Sequence, residues 1–236
     1  MTFNLKINNL YISGNIIKTK RKGLSIEISS DSTLQVRASK TLTKKEILEI
    51  INNNGSWIYK QVSRMKEKNK LFINREYKDG EKYYLLGELY TLNIKESMNL
   101  NKVKINKEEQ LIELYKSSDL TDTREMLLKF YKDFALKHII NRISYYRSFF
   151  EHTPKKVCVK EQKRRWGSCT GDNSLLFNWK IIMAPPKVID YLIIHEMSHM
   201  KHKNHSKDFW NSVESILSDY KELRVWLKNN GITLEL

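Results

Sequence analysis

Four of the chain's six histidines, His195, His199, His202 and His205, fall within eleven positions. Glu196 lies among them, and residues 195–199 read H-E-x-x-H. Four residues advance an α-helix by about 400° and about 6 Å, so His195 and His199 project from one face, one turn apart. Two imidazoles so placed reach one zinc ion at roughly 2.0–2.1 Å each. Glu196 sits about 100° round the helix, too far to be a natural third ligand but well placed to hold a water beside the metal. The expected chemistry divides the work: zinc lowers the pKa of a water it binds, and Glu196 takes the proton as attack begins. The competing reading is a basic surface helix that happens to carry histidines. Leu192, Ile193, Ile194, Met197 and Met200 argue for a buried, metal-bearing helix instead.

Zinc that keeps one open position needs a third protein ligand. His202 shares the face of the first two, but three donors in a line cannot surround an ion tetrahedrally, so it reads as a surface histidine. On an unbroken helix His205 would lie about 15 Å from His195. A helix that stops near 201–204 lets the chain turn back and present His205. Asn204 tolerates the left-handed conformation such a stop needs, and Ser206 can cap the next helix. Glu214 and Glu222 are the alternative third ligands. The histidine spacing matches metzincins, but His202 stands at their glycine position. No methionine follows Met200, so their Met-turn is missing too.

The elements that would position these residues are legible in outline. "LSIEIS" (24–29) and "TLQVRA" (33–38) alternate as strands, and Thr43 with Glu46 has capping-box spacing for a helix to about residue 68. Asn-Asn-Asn-Gly at 52–55 is a candidate break in it. "KYYLLG", "LYTLNI", "KVKIN" and "LIELY" then suggest a small antiparallel sheet. From Thr121 the pattern turns to period 3.6 and predicts one long helix to about residue 151, with His138 as a core or boundary histidine. Strands over 157–161 and 174–182 flank the loop "RRWGSCTGDN". Pro186 is placed to open the histidine helix, and a last helix runs from near Ser206 towards Asn230, with Gly231 just past its end. No internal repeat is legible. The fold class is α+β: a mainly β region over 1–118, antiparallel with one helix, and a metal-bearing domain over 119–236.

The 236 residues carry 42 Lys and Arg against 27 Asp and Glu, net +15. Residues 1–116 account for +9 and the remainder for +6, which reads as a spread excess without a basic tail. Such a field suits anionic partners, including weak nucleic-acid binding through charge alone. Cys158 and Cys169 do not make a disulfide framework, and Cys169 reads as a small buried hydrophobe, not a ligand. No stretch has the length of a membrane span and no secretory signal pattern opens the chain, so a cytoplasmic protein without a membrane partner is expected.

"RWGSC" (165–169) and "FNWKIIMAPPKVIDYLIIHEMSHMKHKNHSKDFW" (177–210), with weaker text such as "KGLSIEIS" and "GSWI", resemble the YgjP-like metallopeptidase family. The resemblance implies a minimal zincin behind an N-terminal extension, with His195, His199 and His205 as zinc ligands and Glu196 as general base. In zincins a strand above the active-site helix lines the cleft. Gly167 would let a backbone approach closely there, and Arg165 beside Trp166 could hold an anionic group or a developing oxyanion. The other reading is a structural corner, with Trp166 in the core and Arg165 paired to an acid. Three functions are therefore expected in turn: a zinc-dependent metallopeptidase acting on peptide or unfolded protein; a metal-dependent nucleotide pyrophosphatase or phosphodiesterase using Lys163, Arg164 and Arg165; and a nucleic-acid-associated protease with a basic N-terminal region.

Overall fold

The computed structural model describes residues 2–20, 23–29, 31–70, 75–98, 100–117, 122–162 and 164–236. Thr121 and Lys163, both invoked above, lie outside the described residues. The fold is mixed α+β, with three small sheets and six α-helices among the described residues. None of these helices is long and apolar enough to cross a membrane.

Contacts divide the chain into two compact units, Met1–Ile73 and Asn74–Leu236. In the first, strands β1 (Thr2–Ile7), β2 (Leu10–Thr19), β3 (Leu24–Ile28) and β4 (Leu34–Ser39) form a sheet in the order β1-β2-β4-β3. Helices α1 (Lys44–Asn53) and α2 (Gly55–Lys70) follow, divided at Asn54 as the Asn-rich run suggested. The Thr43–Glu46 capping box forms in full. Ile12, Ile16, Leu34 and Val36 from the sheet close on Ile47, Ile51, Ile58 and Val62 from the helices, a core of the unit's own.

The second unit begins with another four-stranded sheet: β5 (Lys82–Leu85), β6 (Glu88–Glu96), β7 (Lys102–Asn106) and β8 (Leu111–Lys116), in the order β5-β6-β8-β7. Neither sheet is purely antiparallel, as the sequence had suggested. In each, two hairpins join through a parallel central pair, β2 with β4 and β6 with β8. The register is the same in both, since Gly14 lies beside Leu34 and Thr91 beside Leu111. The topology is thus repeated where the sequence shows no repeat. Strand alternation constrains polarity, not identity, so two sheets can share a path without sharing residues.

A boundary at 118/119 would fall inside the second unit, because Tyr83, Leu85, Leu92, Ile112 and Leu114 of its sheet share one core with Leu127, Tyr131 and Ile139 of α3 (Thr123–Tyr146). The division at 73/74 also relocates the charge. Residues 1–73 hold 14 basic against 5 acidic side chains, whereas residues 74–116 hold eight of each. The N-terminal excess is concentrated in the first unit, not spread.

After α3 come β9 (Val157–Lys160), β10 (Gly167–Cys169) and β11 (Leu175–Asn178), a small sheet in the order β10-β11-β9. The stretch read as a loop therefore contains β10, a three-residue edge strand antiparallel to β11. A 3-10 segment over Trp179–Met183 leads into α4 (Pro186–Ser198), with Pro186 in its first turn as anticipated. The single last helix expected is instead two, α5 (Lys207–Ile216) and α6 (Tyr220–Asn230). Gly231 follows α6 with φ −54, so no left-handed cap explains it. A Cβ there would meet the Trp166 ring at 2.8 Å, so close packing is the reason for glycine.

Candidate metal centre

The histidine helix is held at its start and along its length. At its start, Leu86 and Gly87 in the β5–β6 turn donate their backbone N–H groups to Ile182 and Met183 (2.8 and 3.1 Å). Gly87 has φ +82, and a Cβ on it would meet Pro185 Cα at 2.8 Å, so the position demands glycine twice over. Along its length, Arg142 of α3 donates two hydrogen bonds to the buried Asp190 carboxylate, at 2.7 and 2.8 Å. That fork fixes the rotation of α4 against α3. Ten of the thirteen α4 residues are buried, including Glu196 and Ser198, as its apolar sequence anticipated.

The helix ends sooner than expected, at Ser198, leaving His199 as its C-cap. The chain then turns without a left-handed residue at Asn204. Instead the Asn204 side chain accepts from the Ser206 N–H (3.3 Å), and Ser206 caps α5 by accepting from Phe209 (3.4 Å). The two local hydrogen bonds do what a positive φ was expected to do.

This turn brings His205 back to the helix. Its Nε2 lies 3.2 Å from His199 Nε2 and 3.2 Å from His195 Nε2. Two nitrogens bound to one zinc at the tetrahedral angle lie about 3.3 Å apart, so the spacing fits a single ion. Among the described residues these three form the one group of His, Cys, Asp or Glu able to hold a metal; Glu214 and Glu222 are not in it. Two of the three, His195 and His199, are also held in the protonation state a ligand needs. Burial, with the neighbouring imidazoles, pushes His195 down to about 3, and burial lowers His199 as well. Neutral rings offer a lone pair. His199 Nδ1 faces the His202 carbonyl at 2.8 Å, which fixes the tautomer with its Nε2 free. His202, read as a surface residue, is half-buried and serves through its backbone.

Glu196 leaves α4 on a different side, towards β10. It is 4 % exposed, and burial pushes its carboxyl up to about 8, against the opposing pull of Arg165 and a backbone hydrogen bond from Cys169. Gly167 is what makes room. A Cβ there would lie 2.5 Å from Glu196 Oε1 and 2.7 Å from its Cγ. Arg165 is exposed, and the acid its charge acts on is Glu196. Trp166 follows the structural-corner reading, packing half-buried against the core and Gly231. Cys169 is half-buried against the same core, and burial raises its thiol. His138 is half-buried on α3, stacked on Phe134, as a boundary residue should be.

Sequence reasoning missed the aromatic floor. Phe209 is fully buried, and its ring lies 4.4 Å from His199 and 4.9 Å from both His195 and His205. Trp210 stacks on His205. The signal was present, since the Phe-Trp pair follows the last histidine by four residues.

The family described as "YgjP-like, metallopeptidase domain" matches residues 22–230 of the chain. No curated protein matches it. Among solved structures, the crystal structure of the metallopeptidase zymogen of Pyrococcus abyssi abylysin is similar at 22% identity. That likeness covers 41% of this chain and 92% of the other, with a TM-score of 0.31.

Proposed function

The chain belongs to the YgjP-like metallopeptidase family, and on that premise we propose that it is a zinc-dependent endopeptidase of minimal zincin layout. In this reading His195, His199 and His205 hold the ion, and Glu196 is the general base. The observation that carries it is the convergence of three imidazoles on one point. Zinc bound there would supply Lewis acidity towards water and a scissile carbonyl.

The chain's own groups do the rest. Glu196 takes a proton onto its carboxylate from the attacking water and returns it to the leaving amine. Burial raises its affinity for that proton, and a cation held beside it would lower that affinity again. Gly167 keeps β10 against the Glu196 side chain, which leaves the carboxylate little freedom to swing away. As an edge strand, β10 can pair with an extended peptide. Arg165 is assigned to the substrate's anionic group or developing oxyanion. The family supports a peptide over a nucleotide substrate, and over a nucleic-acid role for the basic N-terminal unit. Free Cys158 and Cys169 suit a reducing cytoplasm.

Purified protein should carry about one zinc per chain, and His199→Ala should bring the content close to zero. Unchanged zinc in the variant would end the metal assignment. The zinc-loaded chain should cleave an unfolded protein and the chelated chain should not. Phosphate release from nucleoside triphosphates in place of proteolysis would move the reading to phosphoryl chemistry.

A further inference from the structure

The three histidine rings are not oriented in the same way. His199 has a hydrogen bond on its far nitrogen, to the His202 carbonyl. His195 Nδ1 is buried and has no partner. His205 bonds only to the other two imidazoles, through Nε2, among the described residues. It also sits on an exposed turn between α4 and α5. A ligand in that position, with no hydrogen bond behind it, would be expected to rotate freely before metal arrives.

Something else holds it. The His205 ring stacks on Trp210, with centroids 5.6 Å apart and planes 24° apart. Trp210 is itself clamped by α6. Tyr220 stacks with it at 5.3 Å and 16°, and the Arg224 guanidinium lies 4.7 Å from its ring centroid. Tyr220 is 5 % exposed, so the base of this column is anchored in the core. Tyr220 and Arg224 are four residues apart on α6 and so share one face of it. Trp210 also lies 5.7 Å from His195, the ring whose Nδ1 lacks a partner.

We propose that Trp210 is a positioning residue: braced by Tyr220 and Arg224, it presets the His205 ring for the ion, doing with an aromatic stack what a hydrogen bond does for His199. The assignment rests on the three-histidine reading above. It makes the third ligand's order a property of the metal-free chain. It also ties α6, which contributes no ligand, to metal affinity.

The test measures zinc affinity by competition with a chromophoric chelator, and the absorption spectrum of the cobalt-loaded chain. Trp210→Leu should weaken zinc by about 10–100-fold and change the cobalt spectrum. Trp210→Phe, which keeps a ring to stack on, should restore most of both. In a His205→Ala background Trp210→Leu should cost little more, because the residue acts through His205. Equal affinity in Trp210→Leu and wild type overturns the proposal, as does full additivity of the two changes. If Trp210→Leu does not fold, NMR of the metal-free wild type decides. Ring-current shifts on the His205 protons, measured against exposed His152, support the brace; unshifted protons overturn it. A wild type that binds no zinc removes the metal reading, while the NMR result still stands for or against the stack.

Discussion

The two four-stranded sheets follow one path through space and have different fates. Each is a pair of hairpins joined by a parallel centre, and each is followed by a helix. The first buries its apolar face under α1 and α2, and its core ends there. The second packs on α3, whose remaining surface takes the 3-10 segment before α4, strand β9 and α4 itself. Among the described residues, the histidine group lies on neither sheet. Chemistry enters where the covering helix has a second face to offer, and α3 is a 24-residue helix with buried positions along most of its length. Charge is densest on the self-contained unit, at net +9 over residues 1–73, whereas residues 74–116, which hold the second sheet, carry eight charges of each sign.

The largest contrast should come from acids. Glu196→Gln should lower turnover by about 10²–10⁴-fold while leaving zinc content intact. Glu46→Gln, in the capping box of the first unit, should leave turnover unchanged. Equal losses would show that the two regions are not functionally distinct; kcat on an unfolded protein substrate is the measurement.

Next in size is pH. Thr33 lowers Asp31 and Thr43 lowers Glu46 by hydrogen bonding, so what these acids add to the first unit is present above their unfolded values and lost on acidification. Glu196 runs the other way. Its folded value, raised to about 8, makes its contribution full below about 4.5 and lost as the pH rises towards 8. His195, held down to about 3, favours the fold above about 6.5 and loses that contribution as the pH falls. Metal-free Glu196→Gln should therefore gain stability over metal-free wild type as the pH is raised from 4.5 to 8, by on the order of a few kcal/mol at the upper end. Denaturant melts at pH 4.5 and 8 measure this, and a gap that does not widen with pH contradicts the buried, protonated carboxyl.

The smallest expected effect is the most discriminating. Each region has a strand glycine with no room for a methyl group. At Gly14 a Cβ would meet the Phe3 ring at 2.4 Å and Leu34 Cβ at 2.9 Å, and at Gly167 it would meet Glu196. Either change to Ala should cost about 1–3 kcal/mol of stability by overpacking. Only Gly167→Ala should also lower turnover, since only there is the displaced neighbour the proposed base. Loss of turnover in both would mean that the first unit takes part in the reaction.

The sequence made half of the centre legible. His195, Glu196 and His199 follow from helical geometry alone, and His205 from the need to complete a coordination sphere. The mechanism of the bend was misjudged because Asn204 can act through its backbone or its side chain, and composition does not say which. Residues 167–169 read as loop because three strand residues are too few to show alternation. The parallel pairs in both sheets were invisible for another reason. Pairing between β2 and β4, or β6 and β8, is set across an intervening strand, and period-two patterning has no term for a neighbour's direction. At Gly231 the position suggests a helix cap, whereas what the glycine accommodates is a tryptophan 65 positions earlier.

The seating of the β5–β6 turn against the residues just before and at the start of α4 has a mechanical corollary. Leu86 and Gly87 act as an axial stop for the rod that carries two of the proposed ligands and the proposed base. One residue inserted between Lys82 and Glu88 would slide or tilt that rod by a fraction of a turn. Two imidazoles would then travel together while the third stayed behind on its loop. A hairpin outside the histidine cluster thus sets the gauge to which that cluster is built.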